Sequence, residues 1–179
     1  MTNNILIGLL ALGTATLFSL AFFFDTFVGD LKILEMLRWE DEAWRILFSR
    51  FDITLMLGPL PAVAMAIVFL TRRMWPEIIA SVLIIPAQGI AIILPKILIA
   101  RPRPPGLMED KLGSFPSGTA ATSILALGLL IYLIGIYVSH RLLRLLLQVL
   151  IGLTMLALGL FRMFAGEHWP SDVIAGYMV

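Results

Sequence analysis

The sequence predicts an all-α fold, a polytopic transmembrane helix bundle with five full spans, the start of a sixth, and a candidate site at one membrane face. Three observations carry this. The chain is 60% hydrophobic and only 14% charged, against about 45–50% and about 25% for soluble domains. Its apolar residues gather into runs near the length of about 20 residues that a helix needs to cross a bilayer. The ionisable residues collect between those runs. At 179 residues the chain makes one domain, 1–179.

The first run, Ile5–Phe24, is too long for the core of a signal peptide and no basic segment precedes it, so it reads as a retained span. The charged connection 25–52 follows, with Trp39 and Trp44. Leu31, Leu34, Leu37 and Arg38 keep helical spacing there, which predicts a short interfacial helix with the tryptophans in the headgroup region. The second run is Ile53–Leu70, with Gly58, Pro59 and Pro61; the third is Ile78–Ile99, with Pro86 and Gly89. Proline is tolerated in a span when neighbours satisfy the freed carbonyl, and small residues let helices approach, so these read as packing positions. Thr119–Val138 and Leu145–Phe161 are the fourth and fifth runs. Only seven residues follow Asp172, too few to cross, and the sequence reads as ending inside its last helix.

Five spans sort the connections into two sets. Loops 25–52, 100–118 and 162–172 share one face; the N-terminus and the turns 71–77 and 139–144 share the other. The short turns carry Arg72, Arg73, Arg141 and Arg144 against Glu77 alone, so the positive-inside rule makes that face cytoplasmic. Many basic residues of the opposite face belong to the candidate site or to the acid-rich first connection and are discounted. The expected location is a bacterial inner membrane, with the site toward the periplasm or exterior. A net charge of +1 gives no reason to expect nucleic acid as a partner. The absence of cysteine excludes a thiolate metal site, and two histidines, His140 and His168, are too few for a multi-histidine one.

Three segments of the outer face carry candidate chemistry. In the first, Lys96 and Arg103 stand seven residues apart, two helical turns, and can share a helix face. Pro102 and Pro104 end the helix there, and Arg101 joins the pair in a cationic rim. Snorkelling basic residues at an interface would look the same. In the second, Ser117 suits an N-cap for the fourth span and Gly118 lets a ligand approach the backbone. A helix start favours an anion such as phosphate. In the third, His168 and Asp172 are four apart, with Pro170 between them suited to a first helical turn and Arg162 nearby. Asp172 can accept a bond from one imidazole nitrogen and leave the other free for attack. A merely structural interfacial His–Asp pair is the competing reading. Together the segments bring cations, a helix N-terminus and an oriented histidine to one face, as stabilisation of a phosphoryl transition state requires.

At these residues the chain resembles the type 2 phosphatidic acid phosphatases, in their membrane-bound branch. That family's signature reads Lys-x6-Arg-Pro, Pro-Ser-Gly-His and Ser-Arg-x5-His-x3-Asp. This chain matches at Lys96, Arg103 and Pro104, at Pro116, Ser117 and Gly118, and at Arg162, His168 and Asp172. The resemblance implies a phosphatase-like domain with a histidine nucleophile at His168, oriented by Asp172, that forms a phosphohistidine. Lys96, Arg103, Ser117, Gly118 and Arg162 would hold the phosphoryl oxygens. It implies no metal ion and no other cofactor. The implied partners are membrane lipids and a lipid phosphate or prenyl diphosphate substrate; oligomeric state is left open.

Two positions depart from the signature. Phe161 replaces a serine, and Thr119 replaces the second histidine, which protonates the leaving oxygen. A threonine hydroxyl is no useful acid near neutral pH. His140 follows the fourth span and belongs to the opposite face, about 30 Å away by bilayer thickness. Three accounts remain open at this level: impaired turnover, a diphosphate substrate whose leaving group needs less protonation, or a proton from Glu109, Asp110 or Glu167. A phosphatase-like protein that binds phospholipid headgroups without hydrolysis is the alternative function. A vanadate-holding oxyanion pocket is disfavoured by the spans, and a transporter by the lack of an acidic relay inside the apolar runs.

Overall fold

A computed structural model describes residues 2–37, 40–44, 66, 67, 69–105 and 112–179. Its helices, in chain order, are α1 (Thr2–Phe23), α2 (Asp30–Leu37), α3 (Trp75–Ile99), α4 (Gly118–Tyr137), α5 (Arg141–Phe164) and α6 (Pro170–Met178). Among the described residues four helices are long and apolar enough to cross a membrane: Asn4–Phe23, Trp75–Ile99, Gly118–Tyr137 and Arg141–Phe164, with mean hydropathies of 2.1–2.3. The expected span Ile53–Leu70 and Trp39 lie almost wholly outside the described residues. Of that run, 66, 67, 69 and 70 are helical, and Phe69 packs against Leu133 of α4.

Helix ends follow local chemistry. Ser117 caps α4, its hydroxyl accepting from the Ala120 amide at 3.5 Å. Pro170 opens α6, where its missing N–H costs nothing. The carboxylate of Asp172 accepts from the Trp169 amide at 2.9 Å and holds that first turn. The fifth span starts earlier than its apolar run. His140 caps α5, Nδ1 accepting from the Leu143 amide at 3.3 Å, so Arg141 and Arg144 lie in the first turn of a helix and not in a loop. The turn expected over 139–144 is correspondingly shorter. Pro86 and Pro95 are both accommodated inside α3 without ending it.

α4 is the central helix. It packs most extensively on α5 and next on α6, and 39% of its most apolar window is buried, against 6–11% for the other three spans. Those others present residues such as Leu6, Leu83, Ile90 and Leu153 outward, as lipid contact requires. Phe115 is fully buried with Ala21 and Ala175, and stacks edge-on against Phe18 of α1 at 5.0 Å. A second cluster joins Ala120, Met163 and Val173 from α4, α5 and α6.

The α4–α6 contact depends on Gly176. A Cβ there would lie 2.5 Å from the Ser117 carbonyl and 2.8 Å from the Ala120 Cβ. Gly176→Ala is expected to destabilise the protein by about 1–3 kcal/mol through overpacking. Gly8→Ala, where a Cβ meets nothing within 4 Å, is expected to cost nothing. Thermal unfolding of the two variants in detergent compares them directly.

Candidate active site

Three segments far apart in sequence meet above the ends of α3 and α4, tied in a ring. The Ser114 amide donates to the Arg101 carbonyl at 2.9 Å. The Ser117 amide donates to the Asp172 carbonyl at 2.9 Å. Trp169 Nε1 donates to the Pro102 carbonyl at 2.8 Å. Each segment thereby holds the next. Gly113 completes the first junction: a Cβ there would come within 2.9 Å of the Lys96 carbonyl, the Ala100 Cα and the Arg101 amide, so only glycine lets the strands of loop lie so close.

The ring borders a cavity of about 310 Å³. Lys96, Arg103, Gly118, Thr119, Arg162 and His168 all line it. These are six of the residues singled out by sequence. The remaining two stand just behind. Ser117 is fully buried, its hydroxyl turned to the α4 backbone. Asp172 is fully buried next to His168, with Oδ2 3.5 Å from the imidazole Nδ1. That distance is too long for a formed hydrogen bond, and Nδ1 is buried without a partner.

Lys96 and Arg103 reach the cavity by a different route from the one expected. They do not share a helix face: α3 ends at Ile99, Ala100 takes the left-handed conformation (φ 48°), and the chain runs on irregularly through Arg103. Lys96 is buried, its ammonium donating to the Gly113 and Ser114 carbonyls at 3.0 and 3.3 Å. Arg103 Nη1 donates to the Glu167 carbonyl at 3.1 Å. Arg162 pairs through Nη2 with Glu167 Oε2 at 2.5 Å. Glu167, one of the acids considered as a proton source, is therefore engaged in an ion pair; Glu109 and Asp110 lie outside the described residues.

Arg101 does not join the cationic rim. It is 2% exposed and its guanidinium points away from the cavity, between Asp30 at 2.7 Å and Asp172 at 2.6 Å. Sequence reasoning missed Asp30 and Ser171 as well. The one available signal was an acid, Asp30, beside apolar residues at the start of a helix. Gly89 is a further correction. It lines the cavity from α3, and a Cβ would meet nothing within 4 Å, so it is not a site of close helix packing.

Electrostatics favour a neutral imidazole facing cations. Burial above all lowers His168 from its ordinary 6.5 to about 4, and Lys96 and Arg103 push the same way, against the opposing pull of Asp172. An uncharged nitrogen base at the floor of a cationic cavity can attack an anionic electrophile that the cations hold.

Comparison with known proteins bears on the fold and on the family. No curated protein matches the chain significantly. The fold is similar to the crystal structure of a transmembrane PAP2-type phosphatidylglycerolphosphate phosphatase from Bacillus subtilis, with a TM-score of 0.76 at 20% identity, over 96% of this chain and 89% of that one. The model of the PAP2 superfamily matches residues 76–179, a stretch that contains every residue of the cavity and more than half of the protein, and the chain belongs to that superfamily.

Proposed function

We propose that the protein is a membrane phosphatase for lipid phosphates or diphosphates, working through a phosphohistidine on His168. The observation that carries this is the convergence of Lys96, Arg103, Arg162, Thr119 and His168 on one cavity. The cavity is also amphipathic. From Lys96 its wall continues down α3 through Ile93 and Ile92 to Gly89, about 10 Å along the helix axis at the α-helical rise. A charged mouth above an apolar wall suits a phosphate headgroup with its chain below, and suits a soluble phosphate ester poorly.

In the proposed reaction Lys96, Arg103 and the start of α4 hold the phosphoryl oxygens. Asp172 faces Nδ1, so Nε2 is the attacking atom. The P–N bond forms as the bond to the leaving oxygen breaks. Water then attacks the phosphohistidine, phosphate leaves, and neutral His168 returns. The leaving oxygen takes a proton in the first step, and Thr119 is a poor donor for it. Turnover of monophosphates is therefore slow, and diphosphates, whose leaving phosphate already bears charge, are the better substrates. The site faces the exterior of a bacterial inner membrane, a reading supported by the arginines near the opposite helix ends. The same substitution favours one other reading, a headgroup-binding protein that does not turn over.

Phosphate release from a panel of lipid mono- and diphosphates tests the proposal. His168→Ala is expected to abolish release, and acid-labile, base-stable label trapped on His168 separates the enzyme from a pure binder, which shows none. Thr119→His is expected to raise monophosphate turnover by about 10²–10⁴-fold, the usual worth of a general acid; unchanged turnover means that the missing acid is not the limit. The pH profile has a definite sign. His168 must be unprotonated to attack, and its midpoint lies below the ordinary value, at about 4. Above that pH the nucleophile is ready, so the limb due to His168 in kcat/KM is expected near pH 4; for a substrate whose own phosphate does not titrate in that range, an acid limb near 6.5 would contradict the buried, cation-faced imidazole.

A further inference from the structure

We propose that Arg101 is a positioning residue for the His168–Asp172 pair, one that bridges Asp30 and Asp172 and thereby fixes, and shares the charge of, the carboxylate facing the imidazole. The inference deepens the reaction proposed above and rests on that reading for its catalytic consequence.

The geometry is complete on all sides. Arg101 Nη1 donates to Asp172 Oδ1 at 2.6 Å and to Ser171 Oγ at 2.8 Å. Nη2 donates to Asp30 Oδ2 at 2.7 Å, and Nε to the Asp25 carbonyl at 2.7 Å. Asp30 in turn accepts from the Ser171 amide at 3.0 Å and from the Ser171 hydroxyl at 2.6 Å. The guanidinium lies over the Phe27 ring at 4.7 Å. None of these groups lines the cavity.

The arrangement goes beyond holding loops together. Asp30 engages Nη2 only, and Nη1 has the Ser171 hydroxyl within reach. Arg101 nevertheless takes Oδ1 of Asp172, while the Trp169 amide takes Oδ2. Each oxygen of Asp172 is thus anchored from behind by one donor, and Oδ2 keeps a lone pair facing His168 Nδ1 at 3.5 Å. The charged groups around His168 are Lys96 from α3, Arg103 from the loop after it, Arg162 with Glu167 from the end of α5, and Asp172 from α6. Asp172 is the anion in contact with the imidazole and opposes the effect of burial, so whatever divides its charge favours the uncharged form of His168. Arg101 does this from behind and leaves the cavity clear.

The three charges also explain why Asp30 is needed. Asp30, Arg101 and Asp172 sum to −1. Replacing Arg101 alone would leave two carboxylates buried together. The double variant Arg101→Gln/Asp30→Asn keeps the sum at −1 and leaves Asp172 undivided.

The test is a histidine titration by NMR on isotope-labelled full-length protein in detergent, and it needs no turnover. The chain has two histidines, and the His168 signals are assigned by their loss in His168→Ala. In Arg101→Gln, and in the double variant, the His168 midpoint is expected to rise by about one pH unit or more, the usual effect of an unshared carboxylate within contact range. The acid limb of any turnover should rise with it. An unmoved His168 midpoint in whichever variant folds overturns the proposal. So does failure of both variants to fold, since Arg101 is then a structural cation only. If the midpoint rises but no lipid phosphate is hydrolysed by the parent protein, the positioning role stands and the phosphatase reading falls.

Discussion

A guanidinium has been placed where water does not reach, and the site is built around the need to satisfy it. Burying an unpaired cation costs several kcal/mol after all relaxation, so the Arg101 side chain, 0% exposed, survives only because every nitrogen has a partner. Those partners come from four places: the end of α1, the start of α2, the carboxylate of α6 and the hydroxyl beside it. Lys96 and Arg103 flank Arg101 on one segment, and His168 precedes Asp172 on another. Satisfying Arg101 therefore draws together two chain segments that both line the cavity. The backbone ring through Ser114, Ser117 and Trp169 repeats the same closure in neutral hydrogen bonds.

Much of this was legible in the sequence, and the boundary is instructive. Spans are legible because a bilayer demands one length and one composition, and Thr2–Phe23, Trp75–Ile99 and Gly118–Tyr137 fall within a few residues of the runs that predict them. The start of α5 was not, because Arg141 and Arg144 read as loop residues; long basic side chains can sit in the first turn of a spanning helix with their charges at the interface. The cavity residues were legible because they stand in three short segments that match the signature of a known family, and because holding an oxyanion restricts which side chains can serve. The path between two of them was not. Helical periodicity joins Lys96 to Arg103, but the left-handed turn at Ala100 makes that periodicity irrelevant, and the two meet through tertiary closure.

Arg101 shows the limit most clearly. Arg101 and Arg103 are two residues apart with a proline between them, and nothing local distinguishes them. One is buried among carboxylates and the other faces the cavity. What separates them is a partner 71 positions earlier, Asp30, and another 71 positions later, Asp172. Pairing across such distances is a property of the fold and leaves no trace in periodicity or spacing.

Charge balance in the cavity bears on Thr119. The first turn of α4 presents Gly118 and Thr119 to the same space as Lys96, Arg103 and Arg162. A histidine at position 119 would be surrounded by those cations, and protonation there would be opposed by like charge until an anionic ligand entered. Threonine avoids that repulsion, and with it any proton to give. The empty cavity is accordingly less strained electrostatically with threonine, while the reaction with a poor leaving group is harder. On the proposed phosphatase reading, threonine at position 119 would weaken the transition state of a poor-leaving-group substrate more than it weakens headgroup binding, which is why binding and turnover are to be measured separately.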